Sequence, residues 1–183
     1  MTRNEALEEL KLRLFNKEIL QRSIAAEAIM KEFARYYNAD VDIWGMAGLL
    51  HDIDYDKTID DPALHGVIGA RILENFDIDG AIIYTVQAHN DLLAIPRKRK
   101  MDKVLFISDF VCDAIIKCAL ALPDKKLSVV TEEFVLKKLG EKDFPVFINK
   151  DNVEYFEELG LTLEEFIKIS LKAIQRISEE FSF

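Results

Sequence analysis

Histidine is scarce in this chain, and cysteine, glycine and proline are also few. The 183 residues include three histidines, two cysteines, seven glycines and four prolines. So little glycine and proline, together with no alternating polar and apolar stretch of any length, disfavours a sheet-rich fold and predicts an all-α one. No segment approaches the roughly 18 uncharged apolar residues of a membrane-spanning helix, so we expect no membrane partner.

The cysteines and the N-terminus bear on where the protein works. Cys112 and Cys118 are too few for a disulfide scaffold and lack the spacing of a zinc knuckle or a redox pair. They lie in an apolar stretch, which favours inert thiols in the core. The N-terminal sequence MTRNEALEELKLRL is charged and amphipathic and has no apolar segment of a signal peptide. We therefore expect a cytoplasmic protein.

Composition limits the partners and the number of domains. The chain has 24 basic and 33 acidic residues, a net charge of −9, which argues against DNA or RNA as the main partner. Half of the residues are hydrophobic, enough to bury a sizeable core. We predict a single domain over residues 1–183, with residues 123–183 as a C-terminal helical extension. The sequence leaves homo-oligomerisation open.

Local signals predict where the helices begin and end. Thr2 with Glu5, and Thr162 with Glu165, have the spacing of capping boxes, and Asp40 has the chemistry of an N-cap. The stretches DYDKTIDDPAL and DLLAIPRKRK are predicted to be loops. The predicted helices cover residues 17–37, 41–50, 65–76, 81–90 and 101–122, a segment that ends at Gly140, a segment from Asn152 to Gly160, and a last helix after Thr162.

All three histidines fall in one ordered pattern with acidic residues. The pair His51-Asp52 is followed by His65 and His89, and then by Asp109, on successive predicted helices. Imidazole and carboxylate together are the ligands of catalytic Zn, Fe, Mn and similar divalent ions. Taken singly, each histidine is more often a structural residue at a helix end, through capping or through the helix dipole, than a ligand. The combination therefore carries the prediction of a metal site.

Asp109 is the acidic residue whose position needs an explanation. It lies in the strongly apolar segment KVLFISDFVCDAIIKCALAL, where a carboxylate is costly to bury unless it is paired or binds a metal. Asp102 and Asp113 lie two turns before and one turn after it, which indicates that part of this helix face is solvated. We favour a buried partner for Asp109.

Four segments resemble one family. GLLHDIDYDKT, HGVIGA, AHN and the later ISDF are similar to the HD-domain metal-dependent phosphohydrolases, most closely to the small HDIG-type branch. The resemblance covers roughly residues 17–122 as an HD core, and the C-terminal segment EELGLTLEEFIKISLKAI also resembles that branch. It implies an all-α HD-type fold that holds a divalent metal (Mn, Fe, Ni, Zn or Mg) between helices.

The resemblance also implies a ligand set and a reaction. His51, Asp52 and Asp109 would bind one ion, and Asp52, His65 and His89 a second one, so that Asp52 bridges the two. Asp52 would also orient the attacking water. The implied activity is hydrolysis of a nucleotide or another small phosphoester, and the implied partner is a small phosphorylated molecule.

The chain departs from the family pattern at one position. The family has a further histidine on the helix before the His-Asp pair, and Arg22 occupies that position here. A guanidinium has no lone pair to offer a metal. Three outcomes are open: an ion with water in place of the missing ligand, an ion in the second position alone, or an Arg22 guanidinium that replaces the ion by pairing with Asp52 or Asp109.

Two basic residues are candidate phosphate contacts. Lys57 follows the His-Asp pair, and Arg97 begins the basic run RKRK after His89. The run is explained slightly better as a solvated loop before the next helix. The main alternative function is a non-catalytic HD module, its metal site degraded by Arg22, that binds a small anionic ligand or a protein partner. A purely structural helical protein is a third interpretation, and it predicts that the three histidines lie far apart.

Overall fold

The computed structural model describes residues 1–146 and 150–180. Those residues form ten α-helices joined by short loops and 3₁₀ turns, and they contain no strand, which confirms the predicted all-α fold. None of these helices is long and apolar enough to cross a membrane. The helices are α1 (Arg3–Arg13), α2 (Lys17–Tyr36), α3 (Val41–Leu50), α4 (Tyr55–Thr58), α5 (Val67–Leu73), α6 (Gly80–Ala88), α7 (Lys100–Ala121), α8 (Glu132–Leu139), α9 (Lys150–Leu159) and α10 (Leu163–Arg176).

Side-chain caps begin three of the helices where the sequence predicted them. At α1, the Thr2 hydroxyl accepts a hydrogen bond from the Glu5 amide, and the Glu5 carboxylate accepts one from the Thr2 amide. The same reciprocal box begins α10. Asp40 accepts from two amides in the first turn of α3. These short side chains satisfy amides that have no partner within the helix.

The predictions differ from the structure at three boundaries. The helix predicted to open at His65 begins only at Val67, because Gly66 adopts φ +80°, a conformation that breaks the helix. The predicted loop after Asp52 contains the short helix α4 and a 3₁₀ turn over Pro62–Leu64. Asn152 lies inside α9 and does not begin it.

The long helix α2 is the centre of the packing, with α3, α7 and α10 against it. Its approach to α3 is closest at Gly48, where a Cβ atom would lie 2.6 Å from the backbone oxygen of Ala26. On another side of α2, the Phe33 ring stacks on Phe166 of α10 with 4.2 Å between centroids. One hydrophobic core thus extends from α2 to the C-terminal helix.

An inward stripe of α2 leads from this core to a polar cluster. Ala26, Ile29 and Phe33 are fully buried, as the helical spacing predicts. Arg22 continues the stripe toward the N-terminal end of the helix, and its side chain is 20% exposed. At this point the C-terminal ends of α3 and α6 and the middle of α7 meet α2.

Candidate metal centre

The fold brings the three histidines and two of the aspartates into one cluster. His51 and Asp52 follow α3, His65 precedes α5, His89 follows α6, and Asp109 lies in α7. Two groups within the cluster have ligand atoms that all lie within 4.8 Å of one another, and these are His51, Asp52, Asp109 and Asp52, His65, His89. The interpretation that the histidines are scattered structural residues is therefore wrong.

Two of the histidine rings are oriented by the backbone. Nδ1 of His51 lies 2.7 Å from the carbonyl oxygen of Gly48, and Nδ1 of His89 lies 2.5 Å from that of Val86. A carbonyl oxygen only accepts, so each Nδ1 carries the hydrogen and donates it. Each Nε2 therefore points toward the cluster and has a lone pair when the ring is neutral, which is the arrangement found in metal-binding histidines.

A buried carboxylate, Asp54, orients the third ring. Its Oδ1 lies 2.9 Å from Nδ1 of His65, and its Oδ2 accepts hydrogen bonds from the amides of Gly66 (2.9 Å) and Gly69 (2.6 Å). The glycines leave room for this contact, because a Cβ at Gly69 would lie 3.3 Å from the Asp54 carboxylate. No site role was predicted for Asp54 from the sequence. The signal that could have found it is its place in the sequence HDID, two residues after Asp52.

His65 and His89 face each other across one part of the cluster. Their Nε2 atoms are 2.9 Å apart, and both lie near Oδ1 of Asp52, at 3.3 and 3.9 Å. Since both rings use Nδ1 as a donor, two lone pairs would point at each other unless a proton or another cation lies between them. Asp52 Oδ1 is buried and has no hydrogen-bond partner among the residues that the structure describes.

The pKa values of these two histidines are shifted in opposite directions. Burial alone would lower the pKa of His65, but its contacts with Asp52 and Asp54 raise that pKa to about 9. Burial, together with the positive charges of His51 and His65, lowers the pKa of His89 to about 4. At neutral pH a single proton on His65 Nε2 therefore bridges the pair, and a metal ion would have to displace that proton.

Arg22 occupies the other part of the cluster. Its Nη2 and Nε lie 2.5 and 3.1 Å from Oδ2 of Asp52, and Nε lies 3.4 Å from Oδ1 of Asp109. Its guanidinium carbon is 5.5 Å from the centre of the Tyr55 ring, within the range of a cation–π contact. Burial acts to lower the pKa of Arg22, but the Asp109 and Asp52 carboxylates raise it, so the guanidinium stays charged.

His51 shares the same carboxylates. Its Nε2 lies 3.2 Å from Asp52 Oδ2 and 3.5 Å from Asp109 Oδ1. Burial acts to lower the pKa of His51, but the two carboxylates raise it to about 10. Burial acts to raise the pKa of Asp109, but the Arg22 guanidinium and the His51 ring lower it to about 2. In this part of the cluster, the positive charges of Arg22 and His51 therefore balance the two carboxylates without a metal.

The acidic residues of α7 are buried to different degrees. A quarter of the Asp109 side chain is exposed, although its Oδ1 is buried. Asp102 is fully buried, where it accepts from the Thr85 hydroxyl at 2.7 Å and pairs with Arg99. The prediction of a solvated face is therefore wrong for Asp102. Asp113, one-third exposed and paired with Lys117, does lie at the solvent edge.

The two residues predicted to contact phosphate lie outside the cluster. Lys57 is exposed and lines a separate cavity with Phe15 and Asp56. Arg97 is stacked on Phe106, with its guanidinium carbon 3.5 Å from the ring centre, and pairs with Asp91 at 2.6 Å. Only 8% of its side chain is exposed. These contacts give Arg97 a packing role, and a phosphate role for either residue stays a prediction.

A different cavity opens beside the cluster, between α2 and α7. Its volume is about 390 Å³, and Arg22 forms part of its wall. Three basic and two acidic side chains line it, together with an apolar surface. The charged residues are Lys17, Glu18, Arg22, Asp113 and Lys117, and the apolar residues are Ile19, Ile116 and Leu120.

The donor set of the cluster fits a divalent ion. Within the described residues, His51 Nε2, Asp52 Oδ1 and Asp109 Oδ1 are buried without a hydrogen-bond partner, as are three atoms that are not part of the cluster, Arg97 Nε and the hydroxyls of Ser108 and Ser170. Buried polar atoms are rarely left unpartnered, and the three in the cluster are of the kinds that bind metals. Imidazole ligands suit Zn, Fe and Ni, and carboxylate ligands suit Mn and Mg.

The comparisons with known proteins give one match. A family model described as HD domain matches residues 19–115, slightly more than half of the chain. No curated protein and no solved structure matches. The matched range includes every residue of the cluster.

Proposed function

The chain belongs to the HD-domain family, and we propose that it is a metal-dependent phosphohydrolase that acts on a nucleotide or another small phosphoester. The observation that carries the proposal is the pair of Nε2 atoms of His65 and His89, 2.9 Å apart and beside the unpartnered Oδ1 of Asp52. Two imidazole nitrogens that face each other next to a bare carboxylate oxygen form a site for a cation.

Asp52, His65 and His89 would hold the ion, which would be Mn, Fe, Ni, Zn or Mg. An ion there supplies Lewis-acid polarisation of a phosphoryl oxygen and makes water a better nucleophile at neutral pH. Asp52 would link the two halves of the cluster, because its Oδ1 faces His65 and His89 and its Oδ2 faces Arg22. Asp54 contacts Nδ1 of His65 and so holds the ring with its Nε2 facing His89 and Asp52.

The cavity between α2 and α7 supports a small anionic substrate. Its volume of about 390 Å³ falls within the roughly 300–1,000 Å³ of small-molecule sites. Lys17, Lys117 and the exposed edge of Arg22 offer it hydrogen-bond donors for an anion, beside the acidic Glu18 and Asp113. We propose that the phosphate lies against Arg22 and that the rest of the substrate packs on Ile116 and Leu120.

Release of inorganic phosphate from mononucleotides and small phosphomonoesters tests the activity. The protein is assayed with Mn²⁺, Fe²⁺, Ni²⁺, Zn²⁺ or Mg²⁺ supplied in turn. We expect hydrolysis by the wild type, a loss of at least about a hundredfold in His89→Ala, and unchanged rates in the exposed-surface control Asn75→Ala. Equal rates in wild type and His89→Ala would contradict the proposal.

One observation favours a second candidate, a non-catalytic module that binds a small anion. Arg22 already offsets the charge of Asp52 and Asp109, so the cluster is stable without an ion on that side. This candidate predicts that a phosphorylated ligand raises the melting temperature of the protein equally with and without metal. The phosphohydrolase predicts a metal-dependent effect.

A further inference from the structure

The two possible metal positions in the cluster are linked through Asp52, and its two oxygens have different surroundings. Oδ1 faces His65 and His89 and accepts no hydrogen bond. Oδ2 faces His51 and accepts two hydrogen bonds from Arg22. One side of the shared carboxylate is therefore available to an ion, and the other is engaged.

Arg22 contacts the same atoms that an ion in the His51 position would need. An ion held by His51, Asp52 and Asp109 would lie among His51 Nε2 and the two oxygens nearest to it. Those oxygens, Asp52 Oδ2 and Asp109 Oδ1, are the ones that lie 2.5 and 3.4 Å from the guanidinium nitrogens. A dication there would face a permanent positive charge within a few ångströms.

The surroundings of Arg22 hold its guanidinium in this position. Tyr55 covers it on one side, and its stem continues the buried stripe of α2. Leaving the cluster would deprive the buried Asp52 and the largely buried Asp109 of this cation, which is unfavourable. Arg22 is therefore a fixed internal cation of the cluster and not a mobile surface side chain.

We propose that Arg22 takes the place of one divalent ion, so that this protein binds a single ion, at Asp52, His65 and His89. The inference rests on the proposed function, since it concerns the same cluster. The exposed fifth of the Arg22 side chain lines the cavity between α2 and α7. The guanidinium thus offers fixed hydrogen-bond donors to a phosphate where an ion would offer open coordination positions.

Metal stoichiometry tests the inference. Wild type, Arg22→His and the control Arg35→His are incubated with excess Mn²⁺, freed of unbound ion and measured by mass spectrometry. Arg35 lies on α2 as well, but its side chain is 57% exposed and pairs with Glu32, so the control adds a histidine away from the cluster. Electron paramagnetic resonance of the bound Mn²⁺ separately distinguishes an isolated ion from a spin-coupled pair.

We expect one ion per chain in wild type and Arg35→His, with the signal of an isolated ion, and two spin-coupled ions in Arg22→His. Two ions in wild type, or one ion in a folded Arg22→His, would overturn the inference and leave the proposed hydrolase standing. No ion in wild type would overturn both. If Arg22→His does not fold, the wild-type count and its resonance signal still decide.

Discussion

The two sides of Asp52 are made of similar residues and behave differently. On the Arg22 side, a guanidinium and the His51 ring, whose pKa is raised to about 10, balance two carboxylates. On the His65 side, two imidazole nitrogens lie 2.9 Å apart beside an oxygen without a hydrogen bond. The charges on the Arg22 side balance one another, whereas the His65 side needs a proton or a metal ion between its nitrogens.

The comparison shows how the residue at position 22 sets the charge balance on one side of Asp52. A histidine at position 22 would leave two carboxylates to be neutralised from outside by a metal. Arginine supplies that charge permanently, because its guanidinium does not lose its proton in proteins. The three histidines lie together, each with its Nδ1 against a carbonyl or carboxylate oxygen, which is the arrangement found in metal-binding histidines.

The change with the largest expected effect removes the residue that both sides share. Asp52→Ala leaves the Arg22 guanidinium buried with Asp109 as its only carboxylate partner, so the free energy of unfolding should fall by about 3–5 kcal/mol. Mn²⁺ binding should also be lost. Urea denaturation measures the first effect and equilibrium dialysis the second.

The matched control for this change is Asp113→Ala, on α7. Asp113 pairs with Lys117 at the partly exposed edge of the helix, so its loss should cost no more than about 1 kcal/mol. Equal losses of stability in the two variants would show that the Arg22 side is not the buried ion pair described above.

The next change increases the distance between α3 and α2. Gly48→Ala places a methyl group 2.6 Å from the backbone oxygen of Ala26, so α3 must shift away from α2 and take Asp52 away from Arg22. We expect a loss of about 1–3 kcal/mol in urea denaturation. Gly80→Ala is the control, because its methyl group would meet no atom within 4 Å, and it should leave stability within about 1 kcal/mol of wild type.

A third change acts on the His65 side alone. Asp54→Asn removes the negative charge that orients the His65 ring, so the affinity for Mn²⁺ should fall by about tenfold to a hundredfold. Asp60→Asn, on the exposed part of the same loop, should bind as wild type does. Isothermal titration calorimetry gives both constants, and equal affinities would exclude the positioning role of Asp54.

The last expected effect changes no residue and is a pH dependence of metal binding, about tenfold in affinity per pH unit. Because the pKa of His65 without metal is raised to about 9, an ion that binds near neutral pH displaces one proton from this ring. Affinity should therefore rise about tenfold per pH unit between pH 6 and 8 and level off above about pH 9. Calorimetry in buffers of different ionisation enthalpy should count about one released proton, and a count of zero would contradict the assignment.

The features that sequence predicted are those set by neighbours in the chain. The helix starts at Thr2, Asp40 and Thr162 depend on side chains that bond amides two or three residues ahead. The ordered His and Asp pattern also predicted which residues meet, because each was expected on a separate apolar helix. Whether these residues bind metal in the roles predicted for them stays a prediction.

The features that sequence missed depend on partners in other elements, which the fold brings together. Asp54 acquires its role from the Gly66 and Gly69 amides, which reach it only when α5 packs beside the loop. Arg97 resembled a phosphate contact in the sequence, but Phe106 and Asp91 engage it in the fold. Composition alone does not distinguish a basic residue that is free from one that is already paired.

A crystal structure of the Mn²⁺-soaked protein, with anomalous scattering recorded to locate the metal, tests the central claim most directly. If the protein binds a single ion, we expect one anomalous peak, in contact with Asp52, His65 and His89. The Arg22 guanidinium should still lie between Asp52 and Asp109. A second peak beside His51 and Asp109, with Arg22 displaced toward the cavity, would contradict it.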